Sequence, residues 1–342
     1  MNTRAALRQA IERLTAAQVP SATTTAEVLL LHVLGRDRAF LYAHPEVELT
    51  LEQQRAYRHL VGERATGKPT QYLTREQEFW GLSFRVAPGV FIPRPETEHV
   101  VEVALALVRE RLGQARARIV DVGTGTGCIA LALASELPEA EIIGVEIDPQ
   151  ALAVACENAA QLKLAHRVRF LQSDLLAIFL EAEEAKEHRL ALSAAEGPRF
   201  DLIVSNPPYV SAAEADALPR EVREHEPPTA LYSLDEGLAI TRRLVEQAEK
   251  LLVGGRGSLV AGHESRATGP PPGVPQSGTQ EGPALRSPQG EGGWLVLELG
   301  YKMAGRVQAL LGAAWTNIEI TDDLRGIPRV LAAQKKAPRF RD

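Results

Sequence analysis

The 342-residue chain has two cysteines, Cys128 and Cys156, no apolar run that approaches a membrane span, and no excess of positive charge. Each scarcity removes a class of protein. Both cysteines lie in helical patterns without metal-ligand spacing, so core packing is expected, with no disulfide and no metal site. A spanning helix needs about 20 apolar residues, and the opening Met1-Asn2-Thr3-Arg4-Ala5-Ala6-Leu7-Arg8 turns amphipathic at once instead of forming a signal peptide. A cytoplasmic protein with no membrane partner is expected. A net charge of −6 lacks the basic balance that phosphate backbones favour, which weighs against a nucleic-acid substrate. What is present is ordinary for a globular chain: 45% hydrophobic and 24% charged residues, over a length that favours two domains.

Residues 1–74 read as a helical domain. Apolar residues recur at helical spacing through Ala6, Ile11 and Leu14, through Val28, Leu29, Leu31 and Leu34, and through Leu51, Tyr57, Leu60 and Val61. Thr24 or Thr25 followed by Glu27 marks a helix start, and Gly35 and Gly67-Lys68-Pro69 mark stops. Partner recognition and structural support both suit such a domain. His32, His44 and His59 are spaced irregularly and read as core or surface residues.

Residues 75–96 change period and read as a hairpin and linker. Leu82, Phe84 and Val86 alternate after Gly81, and the three prolines of Pro88-Gly89-Val90-Phe91-Ile92-Pro93-Arg94-Pro95 stiffen an extended segment. Glu96 or Thr97 can cap the helix that follows. From residue 97 to 342 strands and helices alternate, the pattern of an α/β domain with a largely parallel sheet.

Within that domain Ile119-Val120-Asp121-Val122-Gly123-Thr124-Gly125-Thr126-Gly127-Cys128 is strand, glycine loop, helix. A dinucleotide fingerprint would put its third glycine at Cys128, so Gly127 comes one residue early for a pyrophosphate grip. A second strand ends at Glu146, 19 positions after Gly127, where a carboxylate can accept from both hydroxyls of a ribose. Asp148 before Pro149 reads as a helix cap, and a third strand runs into Asp174.

The organising stretch is Asp201-Leu202-Ile203-Val204-Ser205-Asn206-Pro207-Pro208-Tyr209. An apolar, β-branched run stops where two prolines forbid both strand and helix, so Asn206 is held extended at the strand's carboxyl end. Its carboxamide, the Pro207 carbonyl and the flat face of Tyr209 suit a planar amide or amine nitrogen.

Asn-Pro-Pro-Tyr after an apolar strand resembles the substrate motif of S-adenosyl-L-methionine-dependent methyltransferases acting on glutamine side chains or on the exocyclic amine of adenine. The order Glu78-Phe79-Trp80-Gly81-Leu82, then Phe91-Ile92-Pro93-Arg94-Pro95-Glu96-Thr97-Glu98, resembles the HemK/PrmC family of peptide chain release factor N5-glutamine methyltransferases. Pro95-Glu96 favours that branch over the sister family that methylates a ribosomal protein. The resemblance implies a seven-stranded, Rossmann-like class I methyltransferase domain, preceded by a helical domain that holds the substrate protein. It implies a cofactor site at Asp121, Gly123, Thr124, Gly125, Thr126, Gly127, Glu146, Asp174, Leu175 and Asn206. Leu175 departs from the aromatic that many relatives carry there. Substrate contacts fall to Phe91, Arg94, Asn206, Pro207, Pro208 and Tyr209, with Asn206, Pro207 and Tyr209 catalytic. The expected partners are class I release factors, met by a monomer. The alternatives are an adenine methyltransferase of DNA or RNA, a ribosomal-protein glutamine methyltransferase, and a cofactor-binding protein without catalysis.

Glu224-His225-Glu226-Pro227-Pro228 resembles a loop that folds over the substrate in this family, although Glu226 and His225 by themselves read as a solvated loop carboxylate and a weak catalytic candidate. Residues 179–198, rich in Ala and Glu, and residues 256–292, rich in Gly, Pro and Ser, read as insertions at the amino ends of strands.

Overall fold

The computed structural model describes residues 1–112, 116–181, 199–253 and 292–337. The chain opens with α1 (Thr3–Ala16), α2 (Ala22–Leu34), α3 (Arg38–Ala43), α4 (Leu51–Ala65) and α5 (Thr70–Thr74). Side chains satisfy the free amides at several starts: Asn2 accepts from the Ala5 N–H, Asp37 from that of Phe40, and Thr50 with Gln53 forms a capping box. α2 begins three residues ahead of Thr25, because Ser21 in the left-handed region (φ 50°) turns the chain directly into Ala22. Gly35 ends it at φ 60°. Leu14, Leu29, Leu30, Tyr57 and Val61 fill a core of their own, each fully buried aliphatic side chain contributing about 1.5–3 kcal/mol. His32, His44 and His59 lie on the surface.

A hairpin follows, β1 (Glu76–Phe79) and β2 (Leu82–Arg85), closed by Trp80 and Gly81 at φ 55° and 66°. Both left-handed positions match the twist of a two-residue hairpin turn. Phe79 and Phe84 meet edge to face, centroids 6.1 Å apart, and are buried in the same core as the following helix α6 (Glu98–Glu110).

Next come β3 (Arg118–Val122), α7 (Cys128–Glu136), β4 (Glu141–Glu146), α8 (Pro149–Gln161), β5 (Val168–Gln172), β6 (Leu202–Ser205), α9 (Ala239–Leu251), β7 (Trp294–Glu298), α10 (Ala304–Gln308), β8 (Trp315–Asp322) and β9 (Pro328–Lys335). The seven strands lie in the order β5-β4-β3-β6-β7-β9-β8, parallel except for β9, which runs antiparallel to β7 and β8. Side chains alternate between two buried layers: Ile119, Leu202 and Val204 pack toward α6 and α7, while Val120, Val122 and Ile203 pack toward α9. Winding proceeds outward one way through β4 and β5 and the other way through β6 and β7. The switch point therefore falls between β3 and β6, where open α/β sheets bind ligands beyond the carboxyl ends.

One expectation changes. Cys156 is exposed, because α8 turns Ala151, Val154, Ala155, Asn158 and Ala159 inward, whereas Cys128 is buried. Of the proposed insertions 179–198 and 256–292, residues 182–198 and 256–291 lie outside the described residues; Arg199, which follows the first, and Gly292, which ends the second, stand just before β6 and β7.

Candidate active site

β3 delivers Asp121 to the switch point fully buried. Its Oδ2 accepts from the Thr124 hydroxyl at 2.6 Å and the Ala130 N–H at 3.1 Å, while Oδ1 has no partner among the described residues. Burial pushes this carboxyl up to about 7; those two hydrogen bonds pull it back and the Glu146 charge adds to the rise. The loop then passes through Gly123, Gly125 and Gly127 at φ 70°, 56° and 81°. A Cβ at Gly123 or Gly125 would meet open space, whereas one at Gly127 would approach Leu131 and Phe170 to 3.1 Å. The first two glycines thus keep room for a ligand, and the third permits packing. Thr126 is buried and its carbonyl accepts from Asn158 Nδ2 at 2.9 Å.

Glu146 fastens the neighbouring strand end to this loop. Oε2 accepts from the Gly125 N–H at 2.9 Å, and Oε1 accepts from the N–H groups of Ile147 and Asp148 at 2.9 and 3.1 Å. Asp148 caps α8 through the Gln150 N–H, as its place before Pro149 suggests. At the end of β5 Asp174 pairs with Arg243 of α9 at 2.7 Å, and Leu175 follows at φ 51°, half-buried on the α9 side of the sheet. An unpartnered buried oxygen, two open glycines and a row of acids along one sheet edge suit a cationic ligand carrying a diol.

Across the switch point the Ser205 hydroxyl donates to the Val122 carbonyl at 2.7 Å and clamps β6 to β3. Asn206 comes next, and its Nδ2 donates to the Thr97 hydroxyl oxygen at 3.1 Å. Thr97, expected as a cap, makes no side-chain capping bond to α6; its buried hydroxyl faces Asn206 instead. With the amide nitrogen turned to Thr97, Asn206 Oδ1 and the Pro207 carbonyl are the acceptors at this strand end. Tyr209 lies over Gly300, where a Cβ would come within 2.5 Å of Cδ2. Burial pushes the Tyr209 phenol above its ordinary range, as does the charge of Glu298, while Arg329 and Arg94 oppose them.

Glu226 is not a solvated loop carboxylate. It is buried and ion-paired with Arg94, and its Oε2 lies 3.5 Å from the Ile92 N–H. Burial raises its carboxyl, and Arg94 counters. The Arg94 guanidinium also stacks over Phe91, 4.9 Å from the ring centroid, so the proline-rich segment and the 224–228 loop are joined through Arg94. Upstream of Glu226, Glu221 pairs with the buried Arg64 of α4, and Tyr72 of α5 donates to the Val90 carbonyl at 2.7 Å. The helical unit thus touches both the loop and the segment.

Glu298 and Gly300 escaped sequence reasoning, which gives Thr97 only as a helix cap. The available signal was a lone acid ending the apolar run Trp294-Leu295-Val296-Leu297, since a glutamate is rarely buried without a reason.

The doubly wound sheet, with a glycine loop, an acidic strand end and Asn-Pro-Pro-Tyr converging at its switch point, defines a Rossmann-like methyltransferase. Residues 5–74 match the family described as PrmC N-terminal domain, and residues 114–250 match that described as Methyltransferase domain. The release factor glutamine methyltransferase of Koribacter versatilis is 38% identical over 336 residues, spanning 98% of this chain and 99% of that one. The chain belongs to the release factor glutamine methyltransferase family. The Escherichia coli member is 40% identical over 257 residues (75% of this chain, 84% of that one), and the Vibrio cholerae member 32% over 336 residues (98% and 97%).

Proposed function

We propose that the chain transfers a methyl group from S-adenosyl-L-methionine to the side-chain amide nitrogen, N5, of the glutamine in the Gly-Gly-Gln motif of class I peptide chain release factors, supporting translation termination. The observation that carries this is the orientation of Asn206: its nitrogen is bound to Thr97, so its oxygen is the group left to grip a substrate N–H.

When bound, the donor supplies a methyl group on a positively charged sulfur, ready for in-line displacement. Gly123, Thr124, Gly125, Thr126 and Gly127 would cradle it. Asp121 Oδ1 would answer its positive charge, the free lone pairs of Glu146 would accept from its ribose hydroxyls, and Asp174 and Leu175 would lie along its base. Asn206 Oδ1 and the Pro207 carbonyl accept the two N–H bonds of the glutamine amide. They aim a nitrogen whose lone pair is otherwise shared with its carbonyl, and they stabilise the positive charge that grows on it. As the N–C bond forms, the methyl's bond to sulfur breaks, and that nitrogen then gives one proton to water. Tyr209, Pro208 and Phe91 pack on the amide plane, and Arg94, its charge matched by Glu226, holds Phe91 in place.

Residues 1–74 would hold the release factor, with the enzyme acting as a cytoplasmic monomer on protein. Among the described residues no helix is long and apolar enough to cross a membrane. The test is incubation with labelled donor and, separately, a release factor, its Gln-to-Ala loop variant, a ribosomal protein extract and adenine-containing DNA. Label on the wild-type factor alone, lost with Asn206→Ala, is the expected result; label on DNA or on ribosomal protein overturns the proposal.

A further inference from the structure

Glu298 is the last residue of β7 and is 4% exposed, with Oε2 unpartnered among the described residues. It stands one residue beyond Leu297, the register partner of Ser205, which brings it beside Asn206 across the switch-point edge. The Thr97 and Tyr209 hydroxyls lie close enough to its carboxylate to lower its pKa, and the charged or titratable groups that face it are Arg329 of β9, Glu96 and Cys128 of α7. The Arg329 guanidinium is turned toward Asp323, to which it donates at 2.9 Å, so it is shared between two acids. A buried acid kept at this cost, where an apolar residue would complete the strand, calls for a task.

We propose that Glu298 is a positioning residue that sets the polarity of Asn206 through the Thr97 hydroxyl. The inference rests on the assignment of Asn206 to the substrate amide. A threonine hydroxyl has one hydrogen, and an ionised carboxylate only accepts. With its hydrogen given to Glu298, Thr97 can only accept from Asn206, so the amide must turn its NH2 inward and its Oδ1 to the substrate. That is the orientation in the structure. Protonation reverses the chain: Glu298 donates to Thr97, Thr97 donates to Asn206 Oδ1, and the amide flips to present NH2 to a substrate that also presents NH2. Burial places the carboxyl at about 7, with Glu96 adding to the rise and Thr97, Arg329 and Tyr209 opposing it, so the switch falls near neutrality.

Three variants test this. Glu298→Leu removes the acceptor and should lower kcat by about tenfold or more, with donor affinity unchanged. Glu298→Gln still offers an uncharged acceptor, so it should keep most of the activity but lose the fall in kcat on the acid side of about pH 7 that the wild type shows. Thr97→Val should match Glu298→Leu, with Thr97→Ser restoring activity, which carries the test if position 298 does not tolerate change. The Asn206 side-chain amide signals in ¹⁵N NMR, read without any substrate, should shift with pH in the wild type and not in Glu298→Gln. Full activity in Glu298→Leu and Thr97→Val, an acid limb that survives in Glu298→Gln, or amide signals indifferent to pH in the wild type would overturn the inference. The NMR titration stays decisive even if release factor proves not to be the substrate.

Discussion

The carboxamide nitrogen of Asn206 donates to the hydroxyl oxygen of Thr97 at 3.1 Å, across 109 residues of sequence. That bond, not the prolines alone, decides which end of the amide faces outward. On the proposed mechanism, Asn206→Ala removes an aligned acceptor for the substrate nitrogen. It should lower kcat by about 10²–10³-fold, by analogy with loss of one oriented transition-state hydrogen bond. Equilibrium binding of the methyl donor, measured by calorimetry, should change far less.

Gly123→Ala and Gly127→Ala should fail in different ways. Both positions have positive φ, so each alanine costs on the order of 1 kcal/mol of backbone strain. At Gly123 the new methyl meets open space and should chiefly weaken donor binding. At Gly127 it presses on Leu131, Phe170 and Ala155, at 3.1–3.3 Å, and should chiefly lower the urea midpoint.

Gly300→Ala tests the seat of Tyr209. A Cβ 2.5 Å from the ring forces the tyrosine to move, at about 1–3 kcal/mol if the surroundings resist. Methyl transfer should fall more steeply than stability, and the comparison of kcat with thermal midpoint checks it.

The pair Arg94–Glu226 is asymmetric: the Glu226 side chain is 1% exposed and that of Arg94 is 29% exposed. Arg94→Ala strands a buried carboxylate and should cost about 3–5 kcal/mol. Glu226→Ala leaves a cation that water can reach and should cost less. Denaturant unfolding of both, and of the double variant, should show the pair losing less together than the two singles summed.

Asp121 and Glu298, raised by burial from 3.8 and 4.5 to about 7, work against the fold at alkaline pH. A raised folded-state value means the native state holds its proton more tightly, so this contribution is full below pH 4 and is lost as pH rises through 7. Unfolding of the ligand-free protein should be easier at pH 8 than at pH 5, by up to a few kcal/mol. Asp121→Asn, which keeps an acceptor for Thr124 and Ala130, should flatten that slope.

The part of the site written in short consecutive stretches was legible. Gly123 to Gly127, Glu146, Asp148 and Asn206 to Tyr209 announce themselves because local backbone demands select their residue types. What could not be read depends on partners brought together by the sheet. Thr97 looked like a cap because nothing local shows that Asn206 will claim its hydroxyl. Glu226 looked solvated because Arg94 lies 132 residues away. Glu298 was hidden in an apolar strand, and Gly300 became meaningful only once Tyr209 lay against it. The start of α2 was misplaced because a left-handed Ser21 leaves no clear mark in composition.

The strand order has a consequence for how the protein comes into being. Asn206 directly follows β6, but the strand that covers its far side, β7, is made some ninety residues later, and β9 must fold back between β7 and β8 before that edge is covered. Such distant pairings form slowly, because a long loop must close before any contact rewards it. On a ribosome still extending the chain, the glycine loop and Asn206 can be in place while Glu298 is not. The polar cluster beside Asn206 is therefore assembled last, and a truncated chain is expected to fold its glycine loop without the strand end that carries Glu298.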